Sequence, residues 1–500
     1  MTGTWRRHAQ ELWPQLLALG VFAVALWAQH RGLVGVFYDD GVYVVLAKAL
    51  AEGQGYANIH LPGAPPAVHF PPFYPLVLSV LWRLWPSFPD NVALLQLFDS
   101  AALAGAAWII AAHARRHGAA GAAAYVALPM GLLAFPLLTI VGMRFSEPLF
   151  LLLVAGAVSL ADRREATLAT ALAAGVLAGL ATLTRSVGVA AIAGVAVGVF
   201  LHGGRRNAVA AVVVSTAVVV PWILWAAAHR AGIDERVVAN YGTYLQDLRQ
   251  TGLRGLIAGL NVGVLSPVTR LALPPVPDWV RWPLAAGLLS AMLGGGVLVA
   301  RRVPALLATL GVYLVIVAVW PFAPDRFVWI ILPWLALLLA ASLVWGWRRD
   351  ARLRAAVVVL LVALTTGYLR VQAISLGARR FAATALGISA PFALLTRSVA
   401  AELPRDAVVA SADETLLYLY TGRQTVPSYL FRWDGRVRRP LPADEVVGYL
   451  CDTGATHLAL TGEGEDAASV IEAIRARGDS TLSPMYEFHG RAMYRFRCPR

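Results

Sequence analysis

Phe37-Tyr38-Asp39-Asp40-Gly41 directly follows the first long apolar run of the chain. Its two adjacent carboxylates stand where the chain is expected to leave a bilayer. A helical pattern of apolar residues comes next: Val42, Val45, Leu46, Ala49 and Leu50. The simplest interpretation is that Asp40 caps this helix, since aspartate is favoured at helix starts. The alternative, that the acidic pair carries chemistry, depends on which other charges share its side of the membrane.

The composition excludes a soluble globular protein. Of the 500 residues, 58% are hydrophobic and 14% are charged, and apolar runs recur along most of the chain. This is typical of a polytopic α-helical membrane protein. The net charge of +13 comes almost wholly from arginine, since Lys48 is the only lysine. The arginines cluster between apolar runs, as in cytoplasmic loops, so they do not indicate nucleic-acid binding.

Eleven apolar runs are candidates for membrane spans, each of which needs about 17–25 residues. They cover about 13–29, 92–112, 120–138, 146–161, 167–184, 186–202, 208–228, 283–300, 304–320, 327–347 and 354–373. The run from Pro71 to Pro86 is shorter and contains Arg83. If it lies on the surface, the later arginine clusters share one side with Arg6-Arg7. The positive-inside bias therefore predicts eleven spans and a surface helix at Pro71–Pro86.

This topology puts the N-terminus in the cytoplasm and three segments outside. The outer segments are a first loop over 30–91, a second loop over 229–282 and the C-terminal tail. We expect a membrane domain over 1–375, a linker over 376–400 and a small extracytoplasmic α/β domain over 401–500. Cys451 and Cys498 both fall in this last domain, where a disulfide and two buried thiols are both compatible with the sequence.

Several elements of the C-terminal domain can be predicted from local patterns. Strands are expected at 407–410 and 457–461, helices at 413–420, 443–451 and 466–477, and a hairpin from 485–489 and 492–497. No glycine-rich phosphate loop is present in this part of the sequence.

Four charged features fall at the outer membrane boundary in this topology. They are Asp39-Asp40, Arg144 with Glu147, Arg185, and Asp325-Arg326. Each has an ordinary explanation: Glu147 beside a proline can begin a helix, Arg185 can extend from a turn toward water, and Asp325-Arg326 can be solvated. Charges at a membrane are costly unless they are paired, so four features at one depth favour a functional site.

Arginines and carboxylates at an outer leaflet suit a phosphate-bearing lipid. Arginine binds phosphate and keeps its charge, and a carboxylate within reach can take a proton from a hydroxyl group. Since nucleotide sugars are absent outside the cytosol, the expected donor is a lipid-phosphate sugar. We favour Arg185 for its phosphate and Asp39 for the base, with Asp40 as helix cap. Lys48, and His60 and His69 at the ends of a Gly/Pro-rich loop, are further candidates for substrate contact.

Five motifs together resemble the glycosyltransferase-C (GT-C) superfamily, membrane enzymes similar to protein O-mannosyltransferases and aminoarabinose transferases. They are Tyr38-Asp39-Asp40-Gly41, Phe70-Pro71-Pro72-Phe73-Tyr74-Pro75, Ser146-Glu147-Pro148-Leu149-Phe150, Thr184-Arg185-Ser186-Val187-Gly188 and Pro324-Asp325-Arg326-Phe327. The resemblance covers about residues 1–375. It implies inverting transfer from a polyprenyl-phosphate sugar, and it leaves open whether the acceptor is a lipid, a glycan or a protein. It also implies a first-loop acid as base and a basic residue at the Arg185 position on the lipid phosphate. The topology puts the reaction at the outer face, and the arginine- and alanine-rich, lysine-poor composition is typical of a bacterial protein and so of a bacterial inner membrane.

The chain departs from the superfamily pattern at two places. Many members have Asp-Glu where this chain has Asp39-Asp40, and some have an acidic-basic pair where it has His69-Phe70. A divalent metal would therefore have Asp40 and His69 as candidate ligands.

Two other classes of function compete with the enzyme. A flippase or exporter of lipid-linked sugars usually shows internal repeats and charges near mid-membrane, and neither is evident in the sequence. A membrane-anchored binding module would leave the Asp-Asp helix unexplained.

The arginine distribution generates a topology prediction. A reporter that is active only in the cytoplasm should signal when fused after Arg349, and one that is active only outside should signal after Arg500. The physical reason is that six arginine clusters fall on one side of an eleven-span arrangement. Signals on the same side from both positions would contradict the eleven-span model.

Overall fold

The structure is a computed structural model. It describes residues 2–243, 246, 252, 260–320, 323–434, 437–460, 470–472, 474–475, 481–488 and 491–498. Long helices dominate the described part of the chain. Those that contain the apolar runs are Thr2–Ala28, Val92–His117, Ala124–Leu132, Phe135–Gly142, Glu147–Ala161, Leu168–Thr184, Val189–His229, Asp278–Val299, Pro304–Val319, Asp325–Ile330, Leu332–Arg349 and Ala351–Gly377.

The helices confirm a multi-pass α-helical membrane protein, while the number of spans stays a prediction. Five described helical segments are long and apolar enough to cross a membrane, or six if the bent pair Gly121–Leu132 and Phe135–Gly142 counts as one span. Others, such as Glu147–Ala161 and Pro304–Val319, are apolar but shorter. Val189–His229 contains two of the predicted runs and is kinked at Gly204.

The chain divides into two compact units. The first comprises Met1–His30, Gln96–Pro221 and Leu260–Ala383, and the second comprises Arg31–Leu95, Trp222–Gly259 and Thr384–Arg500. Each unit is thus assembled from three separate stretches of sequence. Residues 376–400, expected as a linker, lie mostly in the helices Ala351–Gly377 and Arg380–Glu402. The domain boundaries at 375 and 401 stay a prediction.

Close backbone approach holds helices together in the first unit. Gly295, in the helix Asp278–Val299, lies against Leu338 of Leu332–Arg349, and a Cβ atom at this position would stand 1.8 Å from the Leu338 carbonyl oxygen. Small residues at helix contacts allow this approach inside membranes, where hydrophobic burial alone drives no association.

The second unit contains the helix that begins with the acidic pair, Asp39–Ala51, which we call the acidic helix. It is buried on almost all sides. Tyr43 is also buried, with its ring 5.1 Å from that of Phe70 and 5.0 Å from that of Tyr74. Tyr74 belongs to the helix Phe73–Leu84, which has a buried face and an exposed apolar face, as the surface-helix prediction requires.

The C-terminal part of the second unit is an α/β structure. Its strands are β1 Val408–Ser411, β2 Gln424–Pro427, β3 Phe431–Asp434, β4 Val437–Pro440, β5 His457–Leu460, β6 Leu482–Phe488 and β7 Arg491–Phe496. One mixed sheet has the order β2-β1-β5-β7-β6, with β1 parallel to β2 and β5, and β7 antiparallel to β5 and β6. β3 and β4 form a separate antiparallel pair.

Most of the local predictions for this region are confirmed. The strands β1 and β5, the helix Ala443–Asp452 and the β6–β7 pair lie where they were expected. The helix Glu414–Thr421, which we call the tail helix, also matches its prediction and ends at Gly422, whose φ of 69° suits glycine. Most of the helix predicted over 466–477 lies outside the described residues. Cys451 and Cys498 form a disulfide, which resolves the alternative that the sequence left open.

Candidate active site

The turn before the acidic helix presents Asp39 and Asp40 in different environments. Tyr38 has φ 67° and ψ −69°, and the Asp39 N–H donates to the Phe37 carbonyl oxygen at 2.8 Å. This is a three-residue γ-turn of the rare kind that strains a residue other than glycine. Asp40 is fully buried, whereas Asp39 keeps partial exposure.

Asp40 binds the loop that precedes it. Its Oδ2 accepts the Gly35 N–H at 2.6 Å, and its Oδ1 accepts the Phe37 N–H at 3.1 Å. The expectation that Asp40 caps the acidic helix is wrong, because no side chain caps that helix and Asp40 lies inside its first turn. Two backbone donors therefore hold the Asp40 carboxylate in place, and the catalytic roles of Asp39 and Asp40 stay predictions.

His69 lies in the electrostatic field of Asp39. Its Nδ1 is 2.6 Å from the Gly242 carbonyl oxygen. Burial lowers the pKa of His69, while the Gly242 contact and the Asp39 carboxylate oppose that shift. The predicted metal ligands were Asp40 and His69. Within the described residues, no three histidine, cysteine or acidic side chains form a group that could hold a metal ion, and Asp40 is occupied by amides. The assignment of Asp40 and His69 as metal ligands stays a prediction.

His60 belongs to a buried polar cluster that sequence patterns did not reveal. Its Nε2 is 2.9 Å from the Tyr241 hydroxyl, which donates to Oε1 of Glu414 at 2.5 Å. Burial raises the pKa of Glu414 to about 8 and lowers that of His60 to about 3. Both side chains are therefore neutral at pH 7. Tyr38 also faces this cluster. Burial raises the pKa of Tyr38, and the nearby Glu414 carboxyl raises it further.

A second cluster, in the first unit, is built around Glu147. Oε1 of this buried carboxylate lies 2.8 Å from Nη1 of Arg185 and 2.7 Å from Nε of Arg326. Nη1 of Arg185 also donates to the Ser146 hydroxyl at 3.2 Å. The guanidinium of Arg326 stacks 4.2 Å from the Phe145 ring centroid. We call Glu147, Arg185 and Arg326 the arginine cluster.

The arginine cluster brings two guanidinium groups together on one buried carboxylate. Guanidinium pairs are well suited to binding phosphate. Arg185 is thus ion-paired. The simpler explanation, that it extends from a turn toward water, does not call for an ion-pair partner.

Three remaining candidates have other contacts. Arg144 is buried, has φ 58° and donates from Nη2 to the His30 carbonyl oxygen at 3.0 Å. Lys48 lies with Nζ 3.3 Å from the Tyr418 hydroxyl of the tail helix. Asp325, grouped with Arg326 in the sequence, pairs with Arg270.

Comparison with known proteins gives similarity at the level of structure. No protein-family model matches the chain, and no curated protein matches it. The crystal structure of ArnT from Cupriavidus metallidurans bound to undecaprenyl phosphate has a TM-score of 0.55 and 16% identity, covering 96% of this chain and 97% of that one. Its apo form has a TM-score of 0.55 and 17% identity, covering 98% of each chain.

A third match widens the comparison. The archaeal oligosaccharyltransferase AglB from Archaeoglobus fulgidus, in complex with an inhibitory peptide and a dolichol-phosphate, has a TM-score of 0.52 and 12% identity. It covers 90% of this chain and 70% of that one. ArnT is an aminoarabinose transferase of the GT-C type. This chain has the GT-C fold. The resemblance inferred from the five motifs is confirmed in fold class, and within the GT-C fold the roles of individual residues stay predictions.

Glu414 and Tyr241 are the polar residues that the sequence analysis missed. Glu414 follows Asp413 at the start of a short amphipathic helix, a pattern typical of a solvated helix start. Its partner Tyr241 is 173 residues away in the chain. The one available signal is positional, because both residues fall in segments predicted to lie on the outer side.

The two amide bonds of Asp40 generate a stability prediction. Asp40→Asn would turn an NH₂ group toward one of the two backbone donors, and a buried donor without an acceptor costs about 1–3 kcal/mol. We expect thermal unfolding in detergent to shift to lower temperature by a corresponding amount. Asp39→Asn is the matched control, and it should change the transition far less because Asp39 is partly exposed. Equal transitions for the two variants would show that Asp40 is not a structural carboxylate.

Proposed function

We propose that this protein is a membrane glycosyltransferase that moves a sugar from a polyprenyl-phosphate donor to an acceptor hydroxyl. The observation that carries the proposal is the arginine cluster, two guanidinium groups held on one buried carboxylate, in a chain with the GT-C fold. The fold matches include a GT-C protein bound to undecaprenyl phosphate and an oligosaccharyltransferase in complex with a dolichol-phosphate.

Arg185 and Arg326 would bind the phosphate of the donor lipid. Glu147 orients both guanidinium groups and stabilises them in the absence of donor. Guanidinium groups can make bidentate contacts with phosphate oxygens, the geometry in which arginine exceeds lysine. The charge that develops on the phosphate as the sugar leaves would be stabilised by the same groups.

Asp39 would act as the general base. In an inverting displacement, the acceptor oxygen forms a bond to the anomeric carbon while the bond from that carbon to the phosphate oxygen breaks. The lipid phosphate leaves with the bonding electron pair, and the acceptor proton passes to a carboxylate oxygen of Asp39. The partial exposure of Asp39 and the fixed position of its neighbour Asp40 support this assignment.

We further propose that the reaction takes place at the outer face of a bacterial inner membrane. The arginine distribution supports this orientation. The disulfide between Cys451 and Cys498 also supports it, because such bonds persist in oxidising compartments. The sugar and the acceptor would be identified first from the lipid-linked sugar that accumulates in cells lacking the protein.

The base assignment is tested by Asp39→Asn. The amide keeps the shape of the side chain and removes the basic oxygen, so turnover should fall by a factor of roughly 100 to 10,000. Transfer from the identified polyprenyl-phosphate sugar would be measured in proteoliposomes, with thermal unfolding as the folding control. Undiminished transfer by a folded Asp39→Asn protein would remove Asp39 from the mechanism.

The phosphate assignment is tested by binding of undecaprenyl phosphate itself. Arg185→Ala should weaken binding by roughly 2–4 kcal/mol, as when one partner of a desolvated charge pair is removed. Arg185→Lys should retain part of the affinity, because it keeps the charge and loses the bidentate geometry. The exposed Arg301→Ala is the matched control and should bind as the wild type does. Wild-type affinity in Arg185→Ala would leave Arg185 as a purely structural ion-pair partner.

A further inference from the structure

Residues along the tail helix contact both the loop that precedes the turn presenting Asp39 and the acidic helix that follows it. The Val34 N–H donates to the Tyr420 hydroxyl at 3.1 Å, just before the turn. On the acidic helix, Val45 and Ala49 pack against Tyr418 and Leu419 in one apolar cluster. A segment more than 300 residues away in the chain therefore borders the acidic pair on both of its sides.

Two glycines permit this contact. A Cβ atom on Gly41 would stand 2.2 Å from Oγ1 of Thr415, and one on Gly35 would stand 2.7 Å from Cβ of Leu416. Gly35 also has φ +98°, a conformation that other residues rarely adopt. Since Gly35 donates to Asp40, the same residue links the tail helix to the acidic pair.

Glu414, the first residue of the tail helix, completes the contact with hydrogen bonds. Its carboxyl accepts from Tyr241, and its carbonyl oxygen accepts from Oγ1 of Thr425 at 2.9 Å. The Thr425 N–H in turn donates to the His60 carbonyl oxygen at 2.8 Å. Three outer segments thus meet at one buried side chain.

The described titratable groups around Glu414 include no cation; hydrogen bonds from Tyr241 and Tyr38 favour its charged form, and they only partly offset the effect of burial. The groups are Tyr38 from the turn, His60 from the first loop, Tyr241 from the second, Tyr449 from the helix Ala443–Asp452 and the adjacent Asp413. Burial is the largest cause of the raised pKa of Glu414, and Asp413 adds to it. His60 is neutral because its pKa is lowered by burial.

We propose that Glu414 is a positioning residue whose buried carboxyl holds the tail helix against the strained turn of Tyr38 and so keeps Asp39 in place. The turn is costly by itself, since a residue other than glycine in such a conformation costs about 1–3 kcal/mol. Surrounding contacts must maintain it: Asp40 supplies two from within the loop, and the tail helix supplies others. Loss of the proton from Glu414 puts a buried negative charge among them. The link to catalysis rests on the proposed role of Asp39, whereas the mechanical effect on the turn does not.

The direction of the pH effect follows from the two states of the carboxyl. With the helix in place, the pKa of Glu414 is about 8; when the contact opens to water, the ordinary value of 4.5 returns. The closed state binds the proton more tightly, so its advantage is complete below about pH 4.5 and declines as pH rises toward 8. Each pH unit within that window should increase opening by up to about tenfold, and the effect should level off above pH 8.

Hydrogen exchange of the full-length protein in detergent tests this directly. Peptides covering Leu33 to Asp39 report on the N–H groups of Gly35 and Phe37, which donate hydrogen bonds to the Asp40 carboxylate. After correction for the intrinsic rate, exchange in the wild type should rise between pH 5.5 and 7.5 by up to about tenfold per unit. Glu414→Gln, a neutral isostere, should remove this excess. The exposed Glu402→Gln is the matched control and should behave as the wild type does.

Tyr241→Phe provides a second variant that does not depend on Glu414→Gln being folded. Loss of the hydroxyl between His60 and Glu414 should raise exchange in the same peptides while the dependence on pH remains. An identical response to pH in the wild type and in Glu414→Gln, or unchanged exchange in Tyr241→Phe, would overturn the proposal.

Transfer assays distinguish this inference from the proposed function. Wild-type transfer should decline as pH rises through about 8, where Glu414 loses its proton in the closed state, and Glu414→Gln should lack that decline. Exchange that responds as expected in a protein without transferase activity would support the positioning role and refute the proposed function. Transfer with the same alkaline decline in Glu414→Gln would refute the positioning role and leave the function intact.

Discussion

Removing a carboxyl group from water costs several kcal/mol unless donors, cations or a bound proton replace the lost hydration. This protein meets that cost differently at three positions. Asp40 is stabilised by two backbone N–H groups, Glu147 by two guanidinium groups, and Glu414 by retention of its proton. Each solution fixes a piece of surrounding structure: a loop, a pair of arginines and a helix.

The adjacent aspartates show how this requirement separates the functions of similar residues. Asp40 points back to amides that precede it, which fixes the turn and leaves Asp39 at the partly exposed end of the helix. The same turn orients Tyr38 toward the Glu414 cluster. Two residues of identical chemistry therefore have different roles because the backbone between them and the preceding loop is strained and tightly bonded.

Much of the fold could be predicted from the sequence, because the lengths of apolar runs and the alternation of strands are local properties. The motifs around Glu147 and Arg185 likewise indicated that these charged side chains need ion-pair partners. The partner of Asp40 could not be predicted, since capping rules concern the amides of the helix that follows and not those of Gly35 and Phe37. Glu414 was missed for a related reason: its burial results from contacts distant in sequence. The strands β2, β3 and β4 were also not predicted.

The assembly of the second unit from separated stretches has a consequence for biosynthesis. The first loop emerges early, yet the tail helix that borders its acidic pair is made more than 300 residues later. Contacts of such long range form slowly, because the closure of a long loop precedes any gain from packing. Until then, Tyr38 has no tail helix to maintain its strained conformation. In a nascent chain, the acidic turn would therefore depend on the local bonds of Asp40 alone until more than 300 further residues had been added.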